Sequence, residues 1–361
     1  MQRYAYMLVL MQGQNDGPLI LRQLWLQRSM PFFLAGNAIL LNTTLGLRWL
    51  VQIMNAMKHA MVQLCQDIRE DFGDPVSLRQ LIANRPAIRV ELEEPARTIA
   101  VSGVVRWDRL GVLSPLDSRR IPAGYLPGWK KSGGEYHGHL VQLDWLSKLV
   151  VCARSNCWAC DIQQVDGFAA SKAPLADFVD IDTMIEVRSP ELINEISEDQ
   201  LYKNLAHPEI RILHRSNGHD YFARYLWDGR TFLMNCGGSH HFAAARYIAA
   251  RLGRQVPLRG ELHTYSIDRP SVELLRCDFE MYVISDDPEI FIEFRDAMRA
   301  LSASYLVCEM PEPYSATQAI LLPRNELRSM RAAKVLQDAG VFDLGQYLIQ
   351  LCERQERNLQ A

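Results

Sequence analysis

From Leu45 to Glu70 the apolar residues Leu47, Leu50, Val51, Met54, Met57, Met61 and Leu64 recur at intervals of three and four. That spacing places them along one face of a single long helix. A face so rich in methionine suits an irregular core, and burial is what it predicts. Between Ile88 and Leu110 the pattern changes to short runs, IRVEL and TIAVSGVVRW, in which β-branched residues alternate loosely with polar ones; these predict strands. The Gly/Pro-rich stretch IPAGYLPGWKKSGGEYHGH reads as a surface loop leading to an apolar strand over 149–153.

After Phe178 the predicted order is helix, strand, strand, helix, strand. Ser189-Pro190 opens a helix carrying Leu192, Ile193, Ile196 and Leu201 on one face, with Ser189 as its N-cap. Arg211 to His214 reads as a short strand. Two further strands, 221–226 and 231–234, flank Asp228-Gly229, a strong hairpin signal. The segment SHHFAAARYIAARLG predicts a helix with Ala244, Ile248 and Leu252 in line, Ser239 at its start and Gly253 at its end. VPLRGELHTYSI then resumes strand character. The C-terminal part predicts strands at 279–284 and 319–322 and helices at 288–301, 325–339 and 344–356. The fold class is α/β, in the mixed α+β sense, with three regions: 1–177, 178–266 and 267–361.

Composition fits a globular chain: 361 residues, 48% hydrophobic, 22% charged, and a formal charge of −3. The near-balance excludes a wholesale polycation. Eight cysteines scattered without a framework, and an N-terminal MQRYAYMLVLMQGQ too short for a span and without a cleavage pattern, lead to the expectation of a cytoplasmic protein with no membrane segment. The apolar region from Pro31 to Cys65 is interrupted by polar residues and reads as a buried amphipathic helix.

Charge is uneven along the chain. Residues 201–260 hold nine Lys or Arg against Glu209, Asp220 and Asp228, a local charge of about +6, and five of the nine histidines. In this cationic unit Gly237-Gly238-Ser239-His240-His241 joins the hairpin to the Ala-rich helix. Paired glycines permit a tight turn, and a helix start offers unpaired N–H groups and a positive dipole end, so the expected guest is a phosphate or carboxylate. A plain strand-to-helix turn is the competing explanation. His240 and His241 add donors, proton carriers or metal ligands.

The run CGGSHHFAAARYIAARLG, preceded by DYFARYLWDGRTFLMN, resembles the phosphate-binding signature of the ParB/sulfiredoxin superfamily, over roughly residues 180–262. The resemblance implies a central module of that fold flanked by mixed α/β regions, with Gly237, Gly238, Ser239 and His240 holding the phosphates of ATP or CTP, with Mg²⁺, and a bacterial or phage source. Ser239 stands where sulfiredoxins keep their cysteine, which excludes that thiol chemistry. His241 stands where the signature has Arg, leaving Arg230 or Arg246 to substitute. By analogy with the kinase-like branch, Glu195 and Glu198 on the preceding helix are candidates for activating an acceptor hydroxyl. The expectation is a protein binding a nucleotide or a phosphorylated small molecule, acting as a phosphotransferase or as a phosphodiesterase or nuclease. The alternative is a non-enzymatic nucleotide sensor or DNA-binding protein, with nucleic acid as partner.

Two other clusters carry weaker chemistry. Cys157 and Cys160 have the CxxC spacing of a zinc pair, which His137 and His139 could complete; a zinc-stabilised interaction protein is the third possibility, beside a redox pair or ordinary cysteines. Gly128 to Gly134 is basic and Gly-rich but lacks P-loop spacing.

Overall fold

The computed structural model describes residues 43–111, 124–214 and 220–360, with side chains described from residue 51 onward. The N-terminal MQRYAYMLVLMQGQ, the first part of the 31–65 apolar region and Arg215 lie outside the described residues. The chain divides into two compact units, Met1–Phe72 and Gly73–Ala361. The first contributes one described helix, α1 (Thr43–Asp71). Its methionine face is not a core face: Met54, Met57 and Met61 are exposed. Among the described residues no helix is long and apolar enough to cross a membrane.

The second unit is a mixed α/β assembly of two sheets. One has six strands, all antiparallel, in the order β11 (Phe342–Asp343), β8 (Phe279–Ser285), β10 (Thr317–Pro323), β9 (Tyr305–Glu309), β1 (Tyr125–Ser132), β2 (Glu135–Gln142). The other has five, in the order β3 (Val150–Asp161), β7 (Pro257–Ile267), β5 (Tyr221–Tyr225), β6 (Thr231–Met234), β4 (Gly167–Phe168), with parallel pairing at β7–β5 and β6–β4. Strands from the first 177 residues therefore complete both sheets, so the boundary expected at 177 runs through both, while the one expected at 266 falls at the end of β7, between the strands of one sheet and the C-terminal strands of the other.

Period-two alternation explains the layering. In β5, Phe222 faces one core while Ala223 and Tyr225 face another; in β8, Met281 and Val283 oppose Tyr282 and Ile284; in β10, Ala319 and Leu321 oppose Ile320 and Leu322. The inner strands β5, β8 and β10 are buried on both faces and read as near-continuous apolar runs, whereas β2 and β3 at the sheet edges are largely exposed. The middle core lies between the sheets and takes in α7 (Arg269–Asp278) and α10 (Leu344–Gln360). The outer face of the six-stranded sheet is covered by α2 (Val76–Asn84), α8 (Pro288–Leu301) and α9 (Leu327–Asp338). The outer face of the five-stranded sheet is covered by α3 (Ile181–Arg188), α4 (Glu198–Leu205) and α6 (Ser239–Leu252).

Four local expectations need correction. Residues 88–110 form no ladder; they run as extended chain and 3₁₀ turns with single bridges at Arg89–Ile284 and Ala100–Phe168. Their apolar residues nevertheless enter the core, Ile99 and Trp107 at 1% exposure each, which is why the composition mimicked strands. The Gly/Pro-rich stretch holds the β1–β2 hairpin, turning at Gly133-Gly134, both with positive φ. Arg211–His214 is a short helix, α5. The helix expected from Ser189 begins instead at Ser197, whose Oγ accepts from Gln200 N–H, while Pro190–Leu192 is a 3₁₀ turn.

Candidate functional site

The turn between β6 and α6 is built around Asn235, which is 4% exposed. Its side-chain oxygen accepts from the N–H groups of Ala169 and Ala170 at 3.2 Å, and its amide donates to the carbonyls of Ala170 (3.0 Å) and Gly237 (2.8 Å). One side chain thus fixes both the turn and the strand-end segment 169–173 beside it. Gly238, not Ser239, occupies the N-cap position, with φ +74°. A Cβ there would stand 2.5 Å from the Glu209 carbonyl oxygen, so glycine is required both by the left-handed backbone and by the close approach. Ser239 is buried and donates to Ser171 Oγ at 2.9 Å. The helix ladder begins with Phe242 N–H donating to Gly238 O, and the amides before it are the open first turn. At the far end Gly253, φ +66°, closes α6 with Arg254 N–H on Ala249 O, a Schellman cap.

His240 and His241 point to different neighbours. His240 Nδ1 lies 2.7 Å from Ser189 Oγ, and its Nε2 is buried with no hydrogen-bond partner. Burial, then the nearby Lys172 charge, lowers its pKa; Arg188 acts in the same sense and Glu191 against it. His241 Nδ1 lies 3.0 Å from Asn204 Oδ1. Asn204 is buried and uses both amide hydrogens on the carbonyls of Leu192 and Gln200. Its oxygen therefore faces the ring, which must answer with N–H: His241 is protonated at Nδ1 and carries its lone pair on Nε2. Burial and then His207 lower the His241 pKa, which keeps the ring neutral at pH 7. His207 stacks on it, ring centroids 3.7 Å apart and 11° from parallel.

Glu209 completes the site. A Cβ on Gly237 would stand 3.5 Å from Glu209 Oε2, so this exposed carboxylate lies alongside the turn. Nothing in the sequence singled it out; its only signal was position, two residues after His207 in the segment before β5.

The other expected residues are elsewhere or engaged. Arg230 is held by Asp228 at 2.6 Å and donates to Thr98 O, and Arg246 is held by Asp182 at 2.6 Å. Both substitutes for the missing Arg are thus already paired. Glu198 is paired with Arg254 at the start of α4, and Glu195 is exposed in the turn before it. His137 and His139 lie on β2 of the six-stranded sheet, whereas Cys157 and Cys160 lie on β3 of the other; among the described residues no three His, Cys, Asp or Glu side chains are placed to share an ion. Cys157 is exposed at the β3–β7 irregularity and Cys160 is buried.

The arrangement offers three things within one turn of chain: open amides, a buried imidazole nitrogen without a partner, and a neutral imidazole with its lone pair at Nε2 beside a carboxylate. No curated protein and no solved structure matches the chain. A family model described as a family of unknown function, DUF6685, matches residues 155–361, which takes in the whole turn, both histidines and Glu209. That span is more than half of the 361 residues, and the chain belongs to this family.

Proposed function

We propose that the Gly237–His241 turn binds the phosphate of a nucleotide or phosphorylated small molecule. The carrying observation is the buried, unpartnered Nε2 of His240 next to the open first turn of α6. A buried nitrogen without a partner costs about 1–3 kcal/mol, and a phosphoryl oxygen would both relieve that cost and accept from the amides. Lys172 and Arg188 supply positive charge near the same ring. The likeness of the turn to the ParB/sulfiredoxin signature adds to this reading.

The chemistry that fits is phosphoryl transfer or phosphodiester hydrolysis. His241 Nε2 takes the proton of the attacking hydroxyl or water, the bond from phosphorus to the leaving oxygen breaks, and the amides steady the charge. Glu209 is the carboxylate available to Mg²⁺, which typically needs one or two carboxylates in addition to the phosphates. A sensing role without turnover is favoured by one observation, the commitment to carboxylates of Arg230 and Arg246, the two residues expected to stand in for the signature's Arg.

Thermal unfolding against ATP, CTP and other nucleotides, with and without Mg²⁺, tests binding. The wild type should gain melting temperature and His240→Ala/His241→Ala should not; no shift with any nucleotide or polyphosphate refutes the proposal. Glu209→Gln separates the two roles: a catalyst retains the thermal shift and loses turnover, while a sensor shows no turnover in either form.

A further inference from the structure

A cavity of about 420 Å³ lies at the β2 edge of the six-stranded sheet, within the second unit, and shares no residue with the Gly237–His241 turn. Val141, Leu143, Phe279 and Leu306 line it, and the last three belong to the middle core, so its floor is apolar. His139 stands in the wall. Opposite it on β1 is Gly128, where a Cβ would come within 3.2 Å of His139 Cε1; the bare backbone lets the imidazole lie against the strand. The Nδ1 of His139 is buried and has no hydrogen-bond partner among the described residues. Burial and then the Lys130 charge lower the His139 pKa, against a hydrogen bond at the Gly128 backbone. The ring is therefore neutral at pH 7, and one of its nitrogens accepts.

We infer that this cavity binds a small, uncharged, largely apolar molecule whose hydroxyl donates to His139. Its volume is near the lower end of the roughly 300–1,000 Å³ of small-molecule sites, which suits a single ring system. Charge argues against an ion. Among the described residues the wall holds no Lys or Arg, and Asp278 is its one carboxylate; at the other side Lys130 is the cation that acts on His139. An anion would meet Asp278, and a cation would meet Lys130. An uncharged ring meets neither penalty: it removes apolar surface from water against Phe279 and Leu306, and its hydroxyl satisfies a nitrogen that is otherwise left without a partner. The inference is independent of the phosphate site.

The test is a ligand-observed NMR titration of the full chain at pH 7 with four probes of similar size: phenol, anisole, benzoate and benzylamine. Phenol should bind about fivefold more tightly than anisole, which lacks the donor, the worth of one hydrogen bond. Benzoate and benzylamine should bind more weakly than anisole. Val141→Trp fills the cavity from a half-buried position on an edge strand and should abolish phenol binding with the urea midpoint retained. His139→Phe keeps the shape of the ring and should bring phenol down to the level of anisole, a readout that does not depend on the Trp variant folding. His240→Ala/His241→Ala should bind phenol as the wild type does, so loss of the phosphate site and loss of this one are told apart. A wild type that does not bind phenol overturns the inference, and so does phenol binding that survives in a folded Val141→Trp. Benzoate or benzylamine binding as tightly as phenol overturns the uncharged class, and equal binding of phenol and anisole overturns the role of His139.

Discussion

Gly238→Ala probes the turn on which the candidate site depends. Its backbone sits at φ +74°, and a side chain in the left-handed region costs about 1–2 kcal/mol. The added Cβ would also meet Glu209 O at 2.5 Å, Glu209 C at 2.7 Å and Ile210 N at 2.9 Å. These are backbone atoms that cannot swing aside, so overpacking adds about 1–3 kcal/mol. The expected loss is about 2–5 kcal/mol. Two further glycines dissect it. Gly253 has φ +66° with nothing within 4 Å of a Cβ, so Gly253→Ala pays only the conformational part, about 1–2 kcal/mol. Gly237 has no positive φ and an ordinary 3.5 Å neighbour, so Gly237→Ala should lie within about 0.5 kcal/mol of wild type. Urea unfolding of the three variants, followed by far-UV circular dichroism, gives the differences directly. Gly238→Ala equal to Gly253→Ala within error would refute the close approach of the turn to Glu209–Ile210.

Asn235→Ala removes four hydrogen bonds and leaves the Ala170 and Gly237 carbonyls without their amide donor; a loss of about 2–4 kcal/mol is expected in the same urea assay. Burial pushes the Cys160 thiol up to about 12, leaving at pH 8 only about one part in ten thousand as thiolate. Iodoacetamide with peptide mass analysis should therefore label exposed Cys157 and spare Cys160 in the folded protein, and comparable labelling of the two would contradict the buried placement. His240 and His241 bind protons more weakly folded than unfolded, so their contribution to stability is complete above about pH 6.5 and falls as pH drops toward their lowered folded values. Desolvation raises the pKa values of Asp166 and Asp220, which act in the opposite sense. The difference in urea midpoint between wild type and His240→Gln/His241→Gln isolates the two rings, and it should shrink on going from pH 8 to pH 5; a constant difference would contradict their burial as neutral groups.

Elements with self-contained signals were legible in the sequence. The hairpin at Asp228-Gly229 and the helix ended by Gly253 form where turn and cap chemistry put them, with β5 paired to β6 and Gly253 at φ +66°. Residues 88–110 were misread because apolar β-branched residues mark burial as readily as they mark a ladder, and here the neighbouring strands are already paired elsewhere. The β1–β2 hairpin was hidden by its composition: Gly128 is required because a Cβ would meet Tyr305 O at 2.5 Å, not because the chain loops there. The methionine face of α1 has the spacing of a core face, yet Met54, Met57 and Met61 are exposed, because spacing marks an apolar face without saying what lies against it. In the site, the Gly-Gly turn and both histidines could be found locally. Glu209, Asn204, Ser171 and Ser189 could not, because each arrives from a separate element and only the packing of α4, α6 and the 169–173 segment joins them.

Charge shows most directly how far a linear window can mislead. About half of the surplus counted over 201–260 is answered by three carboxylates outside that window: Asp182 receives Arg246 and Arg251, Glu186 also receives Arg251, and Glu198 receives Arg254. Arg230 closes on Asp228 within its own hairpin, and Arg224 lies over the Trp158 ring while donating to Thr231. The positive groups that act on His240, Lys172 and Arg188, come from residues the window omitted. The turn therefore lies in a field made by the tertiary arrangement, with Glu209 as a nearby opposing charge. An anion proposed to bind there would be held chiefly by directed amide and imidazole donors at contact distance. Such contacts are screened far less than a diffuse basic surface, so affinity would depend on the geometry set by Gly238 and Asn235 more than on the net charge of the segment.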